Sequence, residues 1–367
     1  MFEWLDRLVP NATVMSYSTR NSNSPTNLAK HPLALIRAEW SLRALAHHPP
    51  SRVLLHRRAS PFGSGNSEFS ILRAAQWSVY DFDDALQWDT VRKGLRRLVT
   101  PSDSQKALTC VRTADRVIAG NEILADWASQ FARDVVVIPS CVDPMRYRAK
   151  TSYEIADPPR LVWVGSASTE KYLLTIAPAL LELHRRTGAR LTIIGQSSGQ
   201  LRALDAIIDR IPWSIGQAER QLAHFDIGVA PLVDDPFSRG KCGYKMLQYG
   251  AAAMPIITSP VGANRRIGEA LGAALPQSTT DWLDHLLRLV SAPANERLEL
   301  GRASRRAVVS SYSFDAWRAS WLSALRLRPD VDLHTPNDSF ALVQTRPGES
   351  PPPHRGTREG NAAPGST

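Results

Sequence analysis

Short apolar runs alternate along this chain with longer stretches in which apolar residues recur every three or four positions. The short runs predict strands at Ala12–Tyr17, Arg52–His56, Ser78–Asp81, Asp115–Ala119, Val135–Pro139, Leu161–Val164, Arg190–Ile194, Asp226–Leu232, Pro255–Thr258 and Ala273–Leu275. The longer stretches predict helices. Met1–Val9 reads as the end of one, and His31–Ala46 carries Leu33, Ile36, Trp40 and Ala44 on one stripe. Others are expected at Ala85–Val99, Ser104–Ala114, to about Phe131, Tyr172–Thr187, Gly243–Ala253, Thr280–Ala292, Asn295–Ser310 and Ser313–Leu327. Strand alternating with helix is the pattern of parallel sheets with helical crossovers, so the expected class is α/β.

Two breaks divide the pattern. Tyr147–Pro159 is polar and contains proline, as a linker between domains would be. This gives a first domain over 1–150 and a second over 151–312. A last helix at 313–328 follows, with Phe314, Trp317, Trp321 and Leu325. Beyond Arg328 the sequence is rich in Pro, Gly and polar residues and poor in large apolar ones, so 329–367 is expected to be disordered.

The stretch DIGVAPLVDDPFSRGKCGYKMLQYGAAAMPIITSPVGAN, Asp226–Asn264, organises the second domain. It reads as strand, polar loop (Val233–Lys241), helix and strand. Tyr244, Leu247, Ala251 and Met254 form the face expected on a sheet; Lys241, Lys245 and Gln248 form another. Two cations at a helix start are unfavourable alone, yet free backbone N–H groups there attract an anion. At the strand ends of an open α/β sheet this reads as a phosphate site, against the plainer reading of two solvated lysines. Gly165, ending another strand, permits close approach of a phosphate.

Composition narrows the classes. The chain has 367 residues, enough for two cores, with an ordinary hydrophobic share of 43%. Cys110, Cys141 and Cys242 are scattered without metal-ligand spacing, which argues against zinc and a disulfide framework. No long apolar run spans a membrane, and MFEWLDRLVP is too polar for a signal peptide; a cytoplasmic protein is expected. The net charge of +9 favours anionic partners, though no nucleic-acid-binding module is evident. On Ala85–Val99, Arg92, Lys93, Arg96 and Arg97 lie opposite Trp88, Val91, Leu95 and Leu98. That pattern fits either a solvated helix face or one resting on an anionic membrane.

Asp81, Asp83 and Asp84 close the Ser78–Asp81 strand. Three carboxylates so close need a cation, a metal or a role as helix cap; Asp83 or Asp84 suits an N-cap and Asp81 suits the cleft. His56 ends a neighbouring strand, and Arg57 and Arg58 after it could meet phosphate.

The central stretch, together with ADRVIAGNEILADWASQFARDVVVIPSCVDPMRY, resembles retaining glycosyltransferases of the GT-B fold, the large family-4-like group. The likeness implies two Rossmann-like domains facing a cleft, a nucleotide-diphosphate sugar as co-substrate, and transfer with retention. The acceptor stays open between a glycan, a lipid-linked sugar and a small molecule, at the inner membrane face if lipid-linked. It also implies that no metal is required for the donor, and that no protein nucleophile is required, because the departing phosphate takes the acceptor's proton. By the same likeness, Gly165, Ser166, Lys171, Gly195, Ser214, Arg239, Lys241, Gly243, Tyr244, Lys245 and Gln248 bind the donor, with Gln248 on the ribose and Ser214 near the base. Lys171 and Lys245 would stabilise the leaving group. His56, Asp81, Asp83 and Asp84 would form the acceptor side, Asp81 standing where the family often has His.

The family's Glu, seven residues, Glu pattern falls here on Gly240 and Gln248; its usual Ser and Gly fall on Asn121 and Cys141; its Arg falls on Ser166. A first strand and Gly-rich loop expected before the first helix are missing, so the N-terminal domain reads as shortened. Two rival expectations follow, a catalytically degenerate GT-B scaffold acting as a binding partner and a nucleotide-sugar epimerase.

Overall fold

The computed structural model describes residues 2–9, 12–16, 32–88, 103–196, 201–214, 216–327 and 339–344. Eleven strands are named in chain order among them: β1 Thr13–Ser16, β2 Arg52–His56, β3 Trp77–Phe82, β4 Arg116–Ala119, β5 Val135–Val137, β6 Arg160–Ser166, β7 Arg190–Gln196, β8 Ile208–Pro212, β9 Ile227–Ala230, β10 Ile256–Thr258 and β11 Phe340–Gln344. They form two sheets, one ordered β1-β11-β2-β3-β4-β5 and the other β10-β9-β6-β7-β8. Every pairing is parallel. Strands covered on both faces need continuous apolar sequence, which RVLLH, WSVYDF and IGVA supply.

Alternation within the strands splits the first domain's core between two faces. Val53, Leu55, Tyr80, Phe82 and Val343 point one way, towards the helices Asn66–Ala74 and Asp103–Thr113. Leu54, Val79, Ile118, Phe340 and Leu342 point the other way, onto Trp4, Phe314 and Trp321. The helix Phe314–Ala324 thus lies on the first sheet after the chain has built the second domain. In the second domain Tyr249 locks its helix to the sheet, its hydroxyl accepting from Val164 N at 3.0 Å and donating to Val229 O at 3.2 Å.

Several expectations change. The segment expected to lack order from 329 onward contains β11, which pairs with β1 on one side and β2 on the other. The apparent gap at the start of the first sheet is therefore met by a strand from the far end of the chain. Leu33, Ile36 and Trp40, expected in the core, are exposed on the helix Pro32–His47, which packs instead through Leu35, Ala38, Leu42 and Leu45. An unforeseen helix, Ala263–Leu271, buries Ile267 and Leu271. The run Ile208–Pro212 is a partly exposed edge strand, while Ala273–Leu275 contributes a single bridge, from Ala274 to Ile257. Of the expected helix Ala85–Val99, the described part is a short turn, Leu86–Trp88; the basic stretch proposed for a membrane surface lies outside the described residues. No described helix is long and apolar enough to cross a membrane.

Candidate active site

The strand ends of the two sheets converge on one region, with the loop 231–243 of the second domain reaching into the first. Phe237 and Cys242 pack on the first domain's core. Asn121 caps the helix Glu122–Ala128 with its Oδ1 and donates from Nδ2 to Gly240 O at 2.9 Å and Cys242 Sγ at 3.1 Å. A Cβ at Gly240 would lie 2.6 Å from Ala85 Cβ and 3.0 Å from Leu124 Cδ2. The position where the resembled family carries a sugar-binding Glu is thus glycine because the first domain fills the space.

The same loop leads into the helix Tyr244–Ala251, capped by Gly243 at φ 61, a conformation that favours glycine. Lys241 precedes this helix, so the expected shared face reduces to Lys245 and Gln248. Tyr244, expected on the sheet, is 46% exposed, whereas Leu247, Ala251 and Met254 are buried. Lys245 Nζ stands 4.9 Å from the centre of the Trp163 ring and 2.8 Å from where a Cβ on Gly165 would sit. Burial and then the Lys241 ammonium push the Lys245 pKa down to about 8, with Asp84 opposing them. Among the described residues Lys245 has no carboxylate partner, the state of a cation awaiting an anion.

The remaining donor-side candidates are less uniform. Gly165 and Gly195 end adjacent strands in register, and a Cβ on Gly195 would meet Gly165 O at 2.4 Å. Ser166 is exposed and opens the short helix Ala167–Glu170, with Lys171 exposed directly after it. Ser214 is exposed two residues beyond β8. Gln248 is buried and its Nε2 donates to Tyr147 Oη at 3.2 Å, so its amide nitrogen serves the linker. Arg239, expected to reach the sugar or phosphates, is held by Asp234 of its own loop at 2.6 Å and 3.2 Å.

On the first domain β2 and β3 place His56 opposite Asp81. His56 Nδ1 lies 2.5 Å from Asp81 Oδ2, so Nδ1 donates to the carboxylate. Arg57, at φ 59, bonds Asp83 Oδ1 through Nε at 2.6 Å and Asp84 Oδ2 through Nη1 at 3.1 Å. Burial favours the neutral Asp83 carboxyl, but Arg57 outweighs it and holds the group well below the ordinary carboxylate range. Asp83 and Asp84 therefore anchor a cation; the helix that either was expected to cap lies mostly outside the described residues. Arg58 is likewise held, by Asp103 at 2.5 Å, so neither arginine is left to meet phosphate alone. Asp84 also faces Lys241 across the domains, with Oδ1 3.5 Å from Nζ.

Gln344 enters unforeseen. It ends β11 in register with His56, is buried, and its Nε2 has no hydrogen-bond partner among the described residues. Such a group at strand ends beside a histidine is a donor available to a ligand. The apolar run FALV before it carried a strand signal that the surrounding polar composition hid.

Residues 158–292 match the family model described as glycosyl transferases group 1. A search of curated proteins gave no significant match. Among solved structures, sucrose-phosphate synthase from Thermosynechococcus elongatus aligns at TM-score 0.60 and 14% identity, over 82% of this chain and 79% of that one. Anabaena HepE, solved with UDP and glucose, aligns at TM-score 0.58 and 12% identity, over 81% of this chain and 83% of that one. The pneumococcal O-GlcNAc transferase GtfA, solved with UDP and GlcNAc, aligns at TM-score 0.57 and 14% identity, over 77% of this chain but 59% of its own length. The second domain thus matches the glycosyl transferases group 1 family model over residues 158–292, and the chain as a whole has the GT-B fold.

Proposed function

We propose that this protein transfers a sugar from a nucleotide-diphosphate sugar to a hydroxyl acceptor, with retention at the anomeric carbon. The observation that carries the reading is Lys245, a partly buried cation with no carboxylate partner among the described residues, set in the first turn of a helix beside the strand-end Gly165. As the C1–O bond to the diphosphate breaks, negative charge grows on the leaving oxygen. Lys245, Lys241 and the helix N–H groups are fixed dipoles and charges aimed at it, worth more in the transition state than in the ground state. Lys171, exposed nearby in sequence, adds a further cation to the donor side. In retention the acceptor's proton passes to the departing phosphate, and the charge is met by lysines without a metal.

The His56–Asp81 pair favours a second stereochemical reading. A neutral imidazole oriented through Nδ1 can take the acceptor's proton on Nε2 while the acceptor oxygen attacks C1 and the diphosphate leaves, giving inversion. Gly240, where the family has a carboxylate, instead suits the degenerate scaffold, which binds nucleotide and turns nothing over.

One panel separates these. UDP-sugars come first, since two of the neighbours above hold UDP, followed by GDP- and dTDP-sugars, with and without Mg²⁺. The expected result is thermal stabilisation by one nucleotide with slow release of its sugar, and an NMR-observed product that keeps the donor's anomeric configuration. The inverted product would move the assignment to His56 as base. Binding without turnover would leave the scaffold. Lys245→Ala is expected to lose most transfer, about a hundredfold or more, while remaining folded. Turnover like the wild type in that variant would remove the phosphate assignment.

A further inference from the structure

Asp84 stands where the two domains meet. Its Oδ2 is 3.1 Å from Arg57 Nη1 and its Oδ1 is 3.5 Å from Lys241 Nζ. Arg57 already holds Asp83 at 2.6 Å. Two carboxylates therefore share one guanidinium, and Lys241 from the other domain completes the neutralisation. Lys245, the second cation of the loop and helix, is left over, without a carboxylate in ion-pair contact among the described residues.

A diphosphate drawn to Lys241 and Lys245 brings at least two negative charges to an ammonium that a carboxylate already faces. Either Lys241 turns from Asp84 to the phosphate, or Asp84 stays and repels it. Both routes oppose binding, and both cost most when the ligand carries full diphosphate charge, as the released product does. We propose that Asp84 sets the affinity of the site for diphosphate: it competes with the phosphate for Lys241 and so keeps product binding weak enough for release. Asp84 is then a positioning residue that acts through Lys241. The inference rests on the phosphate site proposed above.

The full chain is titrated calorimetrically with inorganic pyrophosphate, UDP, GDP, dTDP and uridine, for the wild type, Asp84→Asn and Asp84→Glu. Removing one charge beside the phosphate-binding ammonium in a half-solvated cleft is worth about tenfold in Kd. Asp84→Asn is expected to bind pyrophosphate and the preferred nucleoside diphosphate about tenfold more tightly. Uridine binding should stay unchanged, and Asp84→Glu should return to the wild-type value. In turnover, the donor KM falls and kcat does not rise, because product leaves more slowly. A merely structural role predicts weaker binding of everything, uridine included. Unchanged or weaker diphosphate binding by a folded Asp84→Asn overturns the proposal. Should that variant not fold, Asp84→Ser, smaller and equally neutral, is read the same way. If neither wild type nor variant binds any phosphate ligand, the phosphate site itself falls and Asp84's role with it. If the wild type binds and the variant gains nothing, only Asp84's role falls.

Discussion

Lys245 holds its charge where burial disfavours it, and this makes it a reporter of what binds beside it. Its pKa is pushed down to about 8, first by burial and next by Lys241. A bound diphosphate reverses that balance and raises the pKa, so binding takes up a proton in the pH range just above 8. Affinity for a nucleoside diphosphate is therefore expected to fall as pH rises through 8, by about tenfold at pH 9. Calorimetry in two buffers of different ionisation enthalpy would count the proton. Lys245→Met should bind weakly at every pH and lose the dependence; a wild-type profile flat to pH 9 would place the diphosphate away from this ammonium. The same shift has a sign for stability. Between about 8 and 10.5 the unfolded chain holds more protons than the folded one, so the native state gains stability as pH rises through that window.

At the scale of elements, β11 is the part of the fold that decides most. It lies between β1 and β2, so it completes the ladder on both, and it brings Gln344 beside His56. Leu342 in its middle is fully buried against the face that holds Leu54, Val79 and Ile118. Leu342→Ala is expected to cost about 2–4 kcal/mol in urea unfolding, and Leu342→Asp more, because a buried carboxylate has no partner on that face. A variant ending at residue 338 should lose cooperative folding of the first domain. Unfolding curves that superimpose on the wild type would mean that β11 contributes nothing to the sheet.

This strand also marks the limit of what the sequence makes legible. Buried strands such as Leu161–Val164 and the alternation with helices are written in local apolar pattern, and so the two-sheet α/β class can be read directly. A strand that pairs with partners nearly 300 residues away is not local: Phe340–Gln344 has the right residues, but nothing nearby says which sheet it joins. The placing of Lys241 and Lys245 at a loop and helix start was legible for the same local reason, since both lie in one stretch. The pairing of His56 with Asp81, the sharing of Arg57 by two aspartates and the bond from Asn121 to Gly240 were not, since each depends on register or on the meeting of two domains.

Across the whole molecule, the proposed transfer needs the two domains to meet, and Gly240 sits where they touch. Its carbonyl accepts from Asn121, and the space beside its Cα is taken by Ala85 and Leu124 of the other domain. Cys242 sits two residues on, with Sγ 2.5 Å from where a Cβ on Gly120 would be. On each side, side chains of the facing domain take the space that a Cβ on glycine would need. Gly240→Ala puts a carbon 2.6 Å from Ala85 Cβ, a separation that two methyl groups do not tolerate, so the loop or the whole domain must shift. That shift draws Lys241 away from Asp84 and parts the donor-side lysines from His56. The proposed donor site, on the second domain, would stay intact. The expected outcome is a split: nucleoside diphosphate affinity within about threefold of the wild type, transfer reduced at least tenfold, and a larger radius of gyration by X-ray scattering. Gly240→Glu, which would restore the family's carboxylate in sequence, should be worse and not better, because its side chain has nowhere to go while the domains are closed. Recovery of full transfer in Gly240→Glu would show that the two domains work in a more open arrangement, with the carboxylate free to reach the sugar.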